Sequence, residues 1–415
     1  MTDIGDIHRE EKEKQFKIER MFFEKRKQIK VIHNIQKTHY GDVPIPDGIS
    51  SRVINDVNGL KMHILSSSPD TKKRPLVLLM HGFPEIAYSW RYLLPRIAAL
   101  GYTVVAPDQR GYGRTEGWSN RYDDSIRPFN FVNLTRDAVA LVQALGYDDV
   151  HTIIGHDSGS FVAGTCALIR PDLFKSCVMM SAPFTGAGPL GKDSRSLFNP
   201  PSIEKIESSL NSLTNPRKHY QVYFSSKHAN SDLMNAPQGI HDFLRAYYHH
   251  KSADWPGNQP YELESWDAAS LALMPTYYVM NNHLTMPQTV AEHMPPQSII
   301  DECSWLPDEH LGVYVSEYTR NSFQGGLQWY RCMIEGVNAA ELSLFSGRTI
   351  DVPSLFISGA NDWGIYQAPG AINHMRDYVC AEMRDIILID NAGHWVQQEQ
   401  HDAVFDGIAS FLKTN

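Results

Sequence analysis

HTIIGHDSGS, residues His151–Ser160, runs from apolar β-formers into a helical pattern through Gly155, Asp157 and Gly159. A Gly-x-nucleophile-x-Gly spacing after a strand reads as a strained strand–turn–helix elbow. Its glycines leave room for the central side chain to stand clear above a sheet edge. The central residue here is a carboxylate, Asp157, where such elbows more often hold a hydroxyl. An aspartate heading a helix can also be a plain N-cap. The preceding strand and the paired glycines favour the elbow, and the dipole of the following helix would keep the carboxylate ionised.

Working outward, short apolar runs recur on both sides: PLVLLM before His81, YTVVAP before Asp108, CVMMSAP from Cys177, PSLFISG before Ala360 and DIILID before Asn391. Such runs match strands of a parallel sheet buried on both faces. Helical period lies between them at Tyr92–Leu100, Leu134–Leu145 and Ser160–Ile169, so the alternation predicts an α/β, doubly wound, mostly parallel sheet. From about Phe184 to Thr349 the alternation stops. This stretch is rich in Tyr, His, Asn, Ser and Met and carries amphipathic segments such as GIHDFLRAYYHH (239–250) and TVAEHMPP (289–296). It predicts an inserted helical lid over 186–347, with the sheet domain at 50–185 and 348–415. Residues 1–49 read as an N-terminal extension, with a charged surface helix over 8–34 and a linker at GDVPIPDG (41–48). A strand pair is expected from Ser51 to Leu65.

The composition of the 415-residue chain narrows the function. A net charge of -9 argues against a nucleic-acid partner. No apolar run is long enough to span a bilayer, and the polar N-terminus lacks the apolar centre of a secretory signal. Five scattered cysteines, none in a Cys-x-x-Cys pair, suit a reducing compartment and show no metal framework. A cytoplasmic protein without a metal is expected. Homodimerisation through the N-terminal helix or the lid is a further reading.

Three more parts complete a chemical constellation. ILIDNAGHWVQQEQ places His394 just after the last strand, which separates it from the other members of a set of 18 histidines. LFISGANDWGIY places Asp362 in the loop after the preceding strand, where it could orient His394 or simply close an Asx-turn. The order Asp157, Asp362, His394 is nucleophile, acid, base. LLMHGFPE follows the first strong strand, so the backbone N–H of Phe83, paired with that of Ser158, could hold an oxyanion above Asp157. His81 and Pro84 would shape that loop.

With these residues in place, the chain resembles the α/β-hydrolase superfamily and, within it, the soluble epoxide hydrolases. The resemblance rests on HGFPE, on PDQRGYGRT (107–115), on the aspartate elbow and on the acid and histidine loops, and covers roughly Val53 to the C-terminus. Two segments in the inserted stretch extend it. HYQVYF (219–224) and GGLQWYR (325–331) resemble the family's two lid motifs, which implies Tyr220 and Tyr330 as donors to an epoxide oxygen.

The resemblance implies a small-molecule epoxide as substrate, no cofactor, and a vicinal diol as product, formed through an ester on Asp157. Trp90, Tyr247 and Trp395 join His81 and Pro84 as candidates for the substrate pocket. The lid's aromatics and methionines suit an apolar substrate. One departure stands out: many members carry Trp-Gly-Gly after the nucleophile, whereas this chain has Ser158-Gly159-Ser160. Rival readings are a haloalkane or haloacid dehalogenase with the same triad, an esterase or lactonase, and a non-catalytic binding homologue. The tyrosine pair and the absence of arginine after Asp157 disfavour the dehalogenases, and the intact triad disfavours the binding protein.

Overall fold

The apolar runs assemble into one eight-stranded sheet. The computed structural model describes residues 39–40, 43–188, 198 and 200–415. The helix expected at 8–34 lies outside the described residues. The strands are β1 (Ser50–Val57), β2 (Leu60–Ser67), β3 (Leu76–Met80), β4 (Thr103–Pro107), β5 (Thr152–His156), β6 (Cys177–Met180), β7 (Ser354–Gly359) and β8 (Met383–Ile389). Their spatial order is β8-β7-β6-β5-β3-β4-β2-β1. All neighbours from β8 through β4 run parallel, while β2 pairs antiparallel with both β4 and β1.

Continuous apolar sequence becomes two-sided burial at the centre of this sheet. Leu76, Val77, Leu78, Leu79 and Met80 of β3 are all 3% exposed or less. Each such side chain contributes about 1.5–3 kcal/mol on leaving water. β8 departs from the expectation drawn from DIILID, because it is an edge strand in which only Ile389 is buried. Leu388 is 46% exposed there, so hydrophobicity alone did not distinguish centre from edge.

The helices α1 (Leu93–Ala99), α2 (Phe131–Ala144) and α3 (Ser158–Ile169) follow β3, β4 and β5. α2 starts three residues earlier than its apolar period suggests, because the Asn130 side chain accepts the Asn133 N–H at 2.9 Å and caps it. The segment read as a linker is anchored both within it and at its flanks. Tyr40 is buried and donates to Asp108 Oδ2 at 2.6 Å, and Ile45 and Ile49 join the core.

Between β6 and β7 the chain is mainly helical. It includes α4 (Tyr220–Ser225), α5 (Gly239–Lys251), α6 (Asp308–Asn321) and α7 (Gln324–Ile334), and α8 (His401–Lys413) closes the fold after β8. A short antiparallel pair, Arg217–His219 with Val279–Asn281, interrupts the helices. TVAEHMPP does not form one helix. A capping box at Thr285 starts the turn at Met286, the helix stops at Ala291, and Pro296 opens the next one.

Candidate active site

Asp157 sits between β5 and α3 with φ 54° and ψ −123°, a conformation that L-residues seldom adopt. The flanking glycines make the bend physically possible. A Cβ on Gly155 would overlap the Gly159 carbonyl, and one on Gly159 would overlap the carbonyl of Met80. Asp157 occupies the N-cap position of α3, yet its side chain makes no capping bond. It turns instead to the loop after β3, where Phe83 N–H donates to its Oδ1 at 3.0 Å. Gly82 admits this approach, since any Cβ there would strike the Asp157 side chain.

His394, in the turn after β8, brings Nε2 to 3.2 Å from Asp157 Oδ2. That approach is close but lies off the hydrogen-bonding direction, and Nε2 has no aligned partner. The other ring nitrogen, Nδ1, lies 3.2 Å from each carboxylate oxygen of Asp362. Asp362 faces His394 and also accepts the Gly364 N–H at 2.7 Å, capping a short 3-10 turn. Burial pushes both carboxyls towards protonation, but His394 and Lys251 outweigh it. Asp157 is held far below the usual carboxylate range, and Asp362 below it.

The two lid tyrosines meet above this centre from α4 and α7, with ring centres 5.9 Å apart. Their hydroxyls differ. Tyr220 donates to Gln367 Oε1 at 3.0 Å and accepts from Gln221 Nε2 at 3.2 Å. The Tyr330 hydroxyl has no hydrogen-bond partner among the described residues. Burial, then the charge of Asp157, raises the pKa of both phenols well above normal. The Phe83 ring packs edge-on against Tyr330 at 5.4 Å.

Other candidates fall unevenly around this centre. Trp395 stacks edge-on to the His394 ring at 4.7 Å and donates its indole N–H to Tyr248 O, and Tyr247 lies against Trp395 at 6.3 Å. Pro84 follows a cis peptide bond and accepts the Tyr248 hydroxyl at 3.1 Å.

His81 is fully buried, with Nδ1 at 2.9 Å from Gly82 O and Nε2 accepting the Gln109 N–H at 3.1 Å, so it braces the loop and has no nitrogen left for a ligand. Trp90 is fully buried in the 3-10 turn Ala87–Trp90, and its indole N–H has no hydrogen-bond partner among the described residues. Ser158 opens α3, but no hydrogen bond joins its N–H to the Asp157 carboxylate, and its hydroxyl is buried without an aligned partner. Among the described residues no group of three or more His, Cys, Asp or Glu is placed to hold a metal.

A buried pair behind the triad was not legible in the sequence. Glu85 Oε2 lies 2.6 Å from His156 Nδ1, and Gln397 and Gln398 donate to its Oε1 at 2.8 and 2.9 Å. His156 Nε2 in turn donates to the carbonyl of His394 at 2.7 Å. Burial opposes charge on both partners, yet each favours the other's ionised form: Glu85 is shifted down and His156 up. The available signal was position alone, because HGFPE and GHD each place a polar residue beside a site residue at a strand end.

Comparison with known proteins gives the family to which this fold belongs. A family model described as alpha/beta hydrolase fold matches residues 75–203. Epoxide hydrolase B of Mycobacterium tuberculosis is 30% identical over 369 residues, which is 87% of this chain and 97% of that protein. Epoxide hydrolase A of the same organism is 28% identical over 370 residues, 88% of this chain and 98% of that one. A solved epoxide hydrolase from an endophytic Streptomyces superposes with a TM-score of 0.69 at 26% identity, covering 89% of this chain and 96% of its own. By fold, by the aspartate elbow and by these relatives, the chain belongs to the epoxide hydrolase family of the α/β-hydrolase fold.

Proposed function

We propose that this protein hydrolyses an organic epoxide to a vicinal diol through a covalent ester on Asp157. The observation that carries the reading is the elbow carboxylate itself. One oxygen is held by Phe83 N–H and the other faces His394, with two phenols from the lid nearby.

In the first step Asp157 Oδ2 attacks a ring carbon, the carbon–oxygen bond of the strained ring breaks, and Tyr330 and Tyr220 donate to the oxygen as it gains charge. Ester formation removes the Asp157 charge, one of the causes that disfavour a phenolate here, so proton release by the tyrosines becomes easier at that moment. In the second step His394, oriented by Asp362, takes a proton from water and the water attacks Cγ. Oδ1 becomes the oxyanion beside Phe83 N–H, with Ser158 N–H as the second donor. Collapse breaks the Cγ–Oδ2 bond, His394 returns its proton to the departing oxygen, the carboxylic acid left on Asp157 gives its proton back to the tyrosine that released one in ring opening, and diol leaves. A serine in this position would leave an ether that water does not cleave.

Trp395, Tyr247 and Pro84 are assigned to the pocket wall. The reading divides the chain into a 1–49 extension, a 50–185 and 348–415 core and a 186–347 lid, and it takes the protein to work in the cytoplasm without a metal or cofactor. Incubation with a styrene-type epoxide and, separately, a haloalkane tests it. Diol from the first and no halide from the second is the expected result; halide release without diol would establish the dehalogenase reading in its place.

A further inference from the structure

Lys251 closes α5 in a place where an ammonium is unusual. It is 3% exposed, and its Nζ lies 5.0 Å from the ring centre of Tyr278, 5.4 Å from Trp395, 5.5 Å from Tyr247 and 5.7 Å from Tyr277. Four ring faces can hold a cation through their quadrupoles. No ion pair or hydrogen bond joins this ammonium to any described residue.

Its position relative to the base is fixed by the backbone. The Lys251 carbonyl accepts the His394 N–H at 2.9 Å. Glu399 accepts the N–H groups of Ala253, Gly393 and Trp395 at 2.8, 2.8 and 2.9 Å. Gly393 packs so tightly on the backbone of Lys251–Ala253 that a Cβ there would overlap it.

The chemistry needs such a cation. Before ester formation Asp157 must be ionised to attack, and with His394 neutral the triad then holds two buried carboxylates and no positive charge; after it, Asp362 alone remains charged beside the base. Uncompensated buried carboxylates take up protons instead of staying ionised. His156 is paired with Glu85 beside it, so charge on the one is matched by the other. Lys251 is a cation whose charge acts on both Asp157 and Asp362.

We propose that Lys251 is a positioning residue for charge: its caged ammonium stands in for an imidazolium, so Asp157 and Asp362 stay ionised while His394 stays neutral. This rests on the ester mechanism above. Burial lowers the lysine's own proton affinity, and Asp157, Asp362 and Glu85 act to retain it. The other titratable groups around it are Tyr247, Tyr277 and Tyr278 in the cage, His249 and His250 on α5, and Glu399 and His394 across the joint.

Lys251→Met keeps the backbone bond and the apolar stem while removing the charge. In single-turnover kinetics with a styrene-type epoxide, the acid limb of ester hydrolysis should move up by roughly one pH unit or more, and Lys251→Arg should bring it back. An acid limb unmoved in Lys251→Met overturns the proposal. The imidazole NMR titration of His394, assigned with His394→Gln, reads the same effect without turnover: its midpoint should rise in Lys251→Met, and an unmoved midpoint overturns the proposal. If the native chain leaves the epoxide intact, the ester mechanism fails by itself and the titration still decides the role of Lys251. Should Lys251→Met not fold, Lys251→Gln carries the same expectation.

Discussion

At the scale of single residues, the site is a division of labour among groups of one chemical kind. Asp157 and Asp362 are both buried carboxylates, but one is thrust out at a strained bend and the other is tied into a 3-10 turn. His394 stands between them, so its loss should separate the two half-reactions. His394→Gln is expected to form the ester and then stall, with ester hydrolysis slowed by about a thousandfold or more. Intact-protein mass spectrometry would show the chain heavier by the mass of one epoxide. The tyrosines divide unequally as well. Tyr220 already donates to Gln367, whereas Tyr330 is uncommitted. Tyr330→Phe should therefore slow ester formation more than Tyr220→Phe, by about a hundredfold if it is the principal donor, as read by stopped-flow tryptophan fluorescence. The convergence of these residues was legible in the sequence because they sit at strand ends or in motif-like contexts. The Gln367 bond was not legible, because it joins residues 147 positions apart through side chains alone.

Between elements, two joints position the chemistry. The first is the packing of the β3 loop on the elbow, which depends on Gly82. Gly82→Ala should displace Asp157 and lower the rate of ester formation while leaving the circular-dichroism spectrum unchanged. The second joint fastens α5 to the histidine turn through Glu399. Burial dominates there and pushes its carboxyl up to about 8, against the pull of three backbone N–H donors. The folded chain then keeps a proton that the unfolded chain releases near 4.5, so this contribution to stability is complete at low pH and is lost as pH rises towards 8. Glu399→Gln cannot titrate. The Tm difference between native chain and variant should therefore shrink steadily across that window, and a constant difference in calorimetry would contradict the assignment.

For the whole molecule, the sheet and the inserted helices follow from patterns that sequence carries directly: apolar runs, helical period and glycine spacing. What escaped is what depends on neighbours across the fold. DIILID looks like its central counterparts but forms an edge, because strand order and not hydrophobicity decides which face meets water. His81 has a site-like position in the chain, yet its nitrogens are spent on the backbone of its own loop and of the loop after β4. Lys251 is an ordinary letter in YYHHKSADW, and only the folded chain places it among four rings beside the base.

In the ester mechanism a protein oxygen, not a solvent oxygen, first reaches the substrate carbon. A single turnover with enzyme in excess, in water enriched in oxygen-18, decides it. The expected result is unlabelled diol from that turnover and the heavy isotope in the Asp157 peptide after digestion. Labelled diol with an unlabelled Asp157 would contradict it.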